Sequence, residues 1–162
     1  MKDILDKISS YNLFNYLLPG VIFVFIVSKM SNVNLIQSDL ITCAFLYYFI
    51  GLIVSHFGSL LVEPFLKKIS FIKFADYKDF VLASKADIKL EVLVEVNNMY
   101  RTFISLFILL GLYKFEIYIE SKCVFLRENQ NMLLIFLLLL IFLFSYRKQT
   151  NYITKRIGAN KY

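Results

Sequence analysis

The chain has 162 residues, 59% of them hydrophobic and only 19% charged, with 17 Phe, 11 Tyr, a mean hydropathy of +0.65 and a net charge of +6. A soluble domain carries about 45–50% apolar residues on a definition that counts Gly and omits Tyr, so the composition argues against an ordinary water-soluble domain. One His and two distant Cys exclude a zinc cluster and a disulfide framework.

The opening residues, MKDILDKISS, read as a short amphipathic lead, with Ile4, Leu5 and Ile8 on one face and Lys2 and Asp6 on another. The first uncharged run, residues 8–28, follows directly and contains the expected span 11–28. A helix needs about 20 apolar residues to cross a bilayer, within a range of roughly 17–25. Inside the run, Pro19 and Gly20 mark a kink. Pro19 removes a backbone donor and frees the carbonyl of Asn15, so this part of the helix is expected to face protein or a wet interface near Asn12 and Asn15. No signal-peptide cleavage pattern follows.

The second uncharged run, 40–62, begins after QSD, where Ser38 or Asp39 is a suitable helix cap, and ends at Glu63–Pro64 with Lys67 and Lys68 as anchors. The loop 65–100 is near neutral, so it is not a plain nucleic-acid tract and any nucleic-acid contact would be indirect. It is expected to form a short helical hairpin. The segment ADYKDFVLASK reads as one helix. ADIKLEVLVEVNNMYR carries both strand-like alternation and a four-residue acidic repeat, and is read as a helix leading into the third span.

The third span is expected over about 102–119, with Lys114 snorkelling at an interface. The fourth, 129–146, is apolar on every side and leaves no water-facing face. A soluble four-helix bundle, the alternative, would need such a face. The tail 147–162 is basic, and Arg147, Lys148, Lys155 and Arg156 are expected to contact anionic lipid or a partner protein. With four spans, fourteen of the eighteen basic residues fall on the side of the termini and the long loop. Basic residues stay cytoplasmic. The expected fold is therefore an all-α integral membrane four-helix bundle in a bacterial inner membrane, with both termini cytoplasmic. Cys43 and Cys123 fall toward the outer side, where a disulfide is conceivable and two independent thiols the plainer reading.

The run GLIVSHFGSLLVEP holds the candidate functional residues. At about 100° per residue, Gly51, Ser55, Gly58 and Val62 fall in one stripe, and Gly51, Ser55 and Ser59 sit four apart. Small residues at that spacing allow close helix packing, within the subunit or between copies. His56, Ser59 and Glu63 are intramembrane polar candidates, because ionisable groups in lipid face a bundle interior or water. His56 and Glu63 lie seven apart and so point the same way. They are read either as a pair lining a pore, or as a hydrogen-bonded neutral His and a Glu wet at the headgroups. No nucleophile elbow, phosphate-cradling glycine loop or metal cluster is present, so no enzyme activity and no cofactor is expected.

The segments YNLFNYLLPGVIF, FLYYFIGLIVSHFGSLLVEP and EVNNMYRTFISLF together resemble small four-span bacterial membrane proteins of the anti-phage defence type, among them the membrane component of the Kiwa system. That resemblance implies a homo-oligomeric scaffold or sensor that anchors or regulates a cytosolic partner, bound by the loop 65–100 and the tail. It implies no site residues. A pore, a permeabilising effector or a small transporter is the alternative.

Overall fold

The computed structural model describes residues 10–31, 35, 38–120 and 122–159. The amphipathic lead and Lys161 lie outside the described residues. Those described form helices and no strand, and four of the helices are long and apolar enough to cross a membrane. We label them α1 (residues 10–30), α2 (Leu40–Lys68), α4 (Lys89–Glu120) and α5 (Val124–Ala159), with the short α3 (Tyr77–Ala86) between α2 and α4.

The caps follow local chemistry. Asp39 caps α2, its carboxylate accepting from the Thr42 amide at 2.7 Å and the Thr42 hydroxyl at 2.6 Å. Those bonds hold the Asp39 carboxyl below the usual carboxylate range. Asp76 and Asp87 accept from the first-turn amides of Lys78 and Lys89, opening α3 and α4. At the end of α2 the Phe71 amide bonds to the Leu66 carbonyl and the Ser70 amide to that of Lys67, both at 3.0 Å. Ser70 takes φ 60, the left-handed conformation that this type of helix stop requires.

Both prolines lie inside helices, and both are handled in the same way. Residues Leu13–Leu17 and Gly58–Val62 form wide π-type turns, in which the Leu18 amide reaches Leu13 and the Glu63 amide reaches Gly58. Each wide turn ends two residues before a proline, Pro19 or Pro64. A proline ring clashes with the carbonyl four residues back. Admitting one extra residue per turn moves that carbonyl aside, and the helix continues. The sequence reading ended the second span at Val62 with Pro64 as its boundary; α2 instead runs on to Lys68.

The core is built from three helices rather than four. Val27 of α1, Val54 of α2, and Leu106 and Leu110 of α4 are buried together, flanked by Phe23, Ile26, Ile50 and Phe103. In the most apolar window of each long helix, 22–28% of residues are buried for α1, α2 and α4, but only 6% for α5. The fourth helix lies against the outside of this core, with Phe142 stacked on Phe49 of α2 at 6.1 Å between ring centroids. At about 1.5 Å per residue, the 32 residues of α4 reach about 48 Å and the 36 of α5 about 54 Å, against a hydrocarbon core of about 30 Å. Both are therefore longer than such a layer is thick. At the end bearing Arg101 and Lys148, α3 packs on their extensions, its Tyr77 ring 6.3 Å from Tyr152 of α5.

Glycines set how closely the first two helices approach. A Cβ on Gly51 would land on the backbone carbonyl of Tyr16, and one on Gly20 on that of Tyr47. These contacts are reciprocal across an antiparallel pair, and a backbone carbonyl cannot swing away as a side chain can. The small-residue stripe Gly51, Ser55, Gly58 is thus filled by the chain's own α1 and α4, with Gly58 against Ser105 and Arg101. Of the two readings of that stripe, packing within the subunit and assembly of copies, the first is the one these helices make.

Gly51→Ala is expected to destabilise the protein by about 1–3 kcal/mol through overpacking. Gly111→Ala, with nothing within 4 Å of the added carbon, is expected to be neutral or to stabilise by up to about 1 kcal/mol. Denaturation of both variants in detergent micelles measures the contrast.

Candidate functional site

A buried group of polar side chains from the long helices lies in one layer toward the end bearing Arg101 and Lys148. Asn15 of α1, Ser55 of α2 and Thr102 of α4 meet there, all buried. The Asn15 amide donates to Tyr11 Oη at 3.1 Å and to Ser55 Oγ at 3.3 Å. Ser55 Oγ and Thr102 Oγ1 are 3.2 Å apart, and Thr102 donates to Asn15 Oδ1 at 2.7 Å. A hydroxyl offers one proton and two lone pairs, so a ring in which Asn15 donates to Ser55, Ser55 to Thr102 and Thr102 to Asn15 satisfies all three. Bonds of this kind inside membranes contribute about 0.6–2 kcal/mol each. Ser105, also buried, donates to the Arg101 carbonyl at 2.7 Å.

Beside this ring lies an ion cluster centred on Glu63, whose side chain is only 7% exposed. Its Oε2 accepts from Arg101 Nη1 at 2.7 Å, and its Oε1 from Lys67 at 3.0 Å. Lys148 of α5 stands 3.6 Å from the same oxygen. One carboxylate thus faces three cations, leaving the cluster with two surplus positive charges. Neither sequence reading of Glu63 holds: it neither pairs with His56 nor lies wet at the headgroups. The wide turn explains the first failure. Seven residues of ordinary helix nearly close two turns, but the extra residue in Gly58–Val62 rotates the register by about 100°. His56 instead meets the ring of Phe142 edge-on, with centroids 5.8 Å apart. Among the described residues it has no hydrogen-bond partner on a neighbouring helix.

Lys148 is also placed differently from the sequence expectation of a lipid-facing tail residue. Its ammonium donates to the Ser59 carbonyl at 2.6 Å and to Ser59 Oγ at 2.7 Å. In the wide turn, residue 64 would have to donate to that carbonyl, and residue 64 is proline. Lys148 supplies the missing proton from another helix and so fixes α5 to α2. Arg147, Lys155 and Arg156 are exposed. Cys43 is buried in α2 and Cys123 lies in the turn before α5, with no disulfide between them. Among the described residues no three His, Cys, Asp or Glu side chains gather as a metal ion would need.

A cavity of about 370 Å³ separates α5 from the three-helix core at the level of these groups, with His56, Ser59, Arg101, Ser145 and Lys148 on its wall. Sequence reasoning missed Arg101, Thr102, Asn15 and Lys67 as members of one site. Arg101 and Thr102 sit at the edge of an apolar run, where charge reads as a boundary, and only the packing of α4 on α2 brings Arg101 to Glu63.

Glu63→Gln leaves Arg101 without its counter-charge and is expected to cost about 3 kcal/mol. The double variant Glu63→Leu/Arg101→Met is expected to recover most of that loss, because an apolar pair of similar volume has no desolvation penalty. A double-mutant cycle by chemical denaturation in micelles checks both. Neither a family model, nor a curated protein, nor a solved structure matches the chain.

Proposed function

We propose that this protein is a multi-pass scaffold of a bacterial inner membrane, with both termini cytoplasmic, that anchors or regulates a cytosolic protein. The reading rests above all on one observation: α4 and α5 are longer than an apolar layer is thick and α3 packs across both extensions. The loop and tail are thereby one braced helical platform rather than loose connections. Its placement in the cytoplasm follows from the distribution of basic residues. Apolar side chains remain uncovered on the platform, with Ile88 82%, Leu82 63% and Leu93 62% exposed. Exposed apolar residues grouped within a charged surface favour a protein partner. The setting in anti-phage defence comes from the resemblance of the quoted segments. Copies associate through α5, whose apolar surface is the least covered, and not through the stripe on α2.

A pore within one subunit is disfavoured. The buried polar network lies in the layer near Glu63, and beyond it Val27, Val54, Leu106 and Leu110 close the interior, with only the Ser28 hydroxyl buried beside them among the described residues. No polar path leads past that plug, and a lone His56 on the cavity wall does not make one.

Purified protein in liposomes is expected to leave an ion-sensitive dye unchanged relative to empty vesicles, and a leak altered by His56→Ala would overturn the scaffold reading. A photo-crosslinking residue at Ile88 or Leu93, in the native host, is expected to yield one adduct of defined mass, while one at Phe136 yields only lipid or self adducts. Absence of a protein adduct at both platform positions would remove the partner.

A further inference from the structure

The cavity between α5 and the core is built unlike the remainder of the bundle. It has about 370 Å³, within the range of small-ligand sites. Arg101 and Lys148, the latter 25% exposed, bring positive charge to its wall. Glu63 neutralises only part of that charge, since Lys67 shares the same carboxylate.

Two residues of this wall, Arg101 and Ser145, each carry a buried donor that the protein does not use. The Arg101 Nε and the Ser145 hydroxyl are each shut off from solvent and without a hydrogen-bond partner. Arg101 reaches Glu63 through Nη1 alone, at 2.7 Å, so its guanidinium has donors to spare. An unused buried donor costs about 1–3 kcal/mol, and more on a charged group. Two such groups just behind one cavity wall, in a cluster with surplus positive charge, call for an acceptor carrying negative charge that a small side-chain turn would bring within reach. A guanidinium edge matches the oxygens of a phosphate, and a hydroxyl and an ammonium complete its coordination. Apolar walls adjoin the polar ones: Phe142 lines the same cavity, and the side of α5 from Leu133 to Phe144 is largely exposed.

We propose that this cavity holds the phosphate group of an anionic phospholipid, with Arg101 Nε and Ser145 Oγ donating to it beside the Lys148 ammonium. The acyl chains would lie along α5, and the lipid would fill the gap that protein packing leaves between α5 and the core. The proposal does not depend on the scaffold reading, because it concerns what seats α5 and not what binds the platform. The shared chemistry is phosphate recognition, and its alternative source is free inorganic phosphate.

The test uses the full chain in nanodiscs, or in micelles to which phosphatidylglycerol, phosphatidylethanolamine or inorganic phosphate is added, with native mass spectrometry and thermal unfolding as readouts. Phosphatidylglycerol is expected to remain bound through delipidation and to raise the unfolding temperature more than phosphatidylethanolamine does. Arg101→Lys keeps the charge and the ability to pair with Glu63 but removes Nε, and Ser145→Val removes the hydroxyl. Each is expected to weaken phosphatidylglycerol binding about tenfold, and Ser145→Val, which lies outside the ion cluster, to leave the unfolding temperature of lipid-free protein little changed. If Arg101→Lys fails to fold, Ser145→Val alone carries the test, because Ser145 has no partner in the protein to lose. Protection by millimolar inorganic phosphate that matches the lipid's, with the same sensitivity to both variants, would support the phosphate site while reassigning its source. Unchanged lipid binding in the variants, or equal binding of phosphatidylethanolamine and phosphatidylglycerol, would overturn the proposal.

Discussion

The carboxylate of Glu63 is where three long helices are joined. It belongs to α2 and receives Arg101 from α4, while Lys148 of α5 stands beside it. In lipid, helix association gains little from the hydrophobic effect, since the surrounding chains are as apolar as leucine. Packing and polar contacts must do the joining. The apolar core joins α1, α2 and α4, but α5 buries little of itself. Its polar attachment through Lys148 to Ser59 therefore matters more than a single ionic contact would in a soluble protein.

The two halves of the bundle solve different problems. Around Val27, Val54 and Leu106 the interior is apolar and closely packed, with the Ser28 hydroxyl beside Val27 buried there and unpaired. Around Asn15, Ser55 and Thr102 the interior is polar and nearly self-sufficient, each side chain using its neighbours. Between α5 and this polar layer the packing opens, and two of the three unspent donors, Arg101 Nε and Ser145 Oγ, belong to residues there. The close approach of α1 to α2, set by Gly20 and Gly51, lets Asn15 reach Ser55 at all.

Much of the fold was legible in the sequence, because uncharged runs of membrane-spanning length are a strong signal. Three of the long helices follow from those runs, the remaining one from the shorter apolar run after Arg101 continued through Lys114, and the cap at Asp39 from QSD. The limits of the helices were less legible. Pro64 reads as a terminator, since sequence periodicity assumes an unbroken 3.6-residue repeat, and the wide turn that lets the chain pass breaks that assumption. The same turn separates His56 from Glu63, a pair that the seven-residue spacing puts on one face. Lys148 was legible as a cation but not as a cap, because its acceptor lies 89 positions away in the chain. Gly51, Ser55 and Gly58 were legible as packing residues, but whether they met their own chain or a copy was not, since both use the same small-residue spacing.

The fifth helix, finally, has no proline and no wide turn between Val124 and Ala159. It is an unbroken rod from the short turn at one end of the bundle to the platform at the other, gripped by few side chains along the way. Because nothing interrupts it, its two ends are set together: a displacement along its axis at Val124 carries Ala159 by the same distance, with Lys148 as the polar tie that resists it.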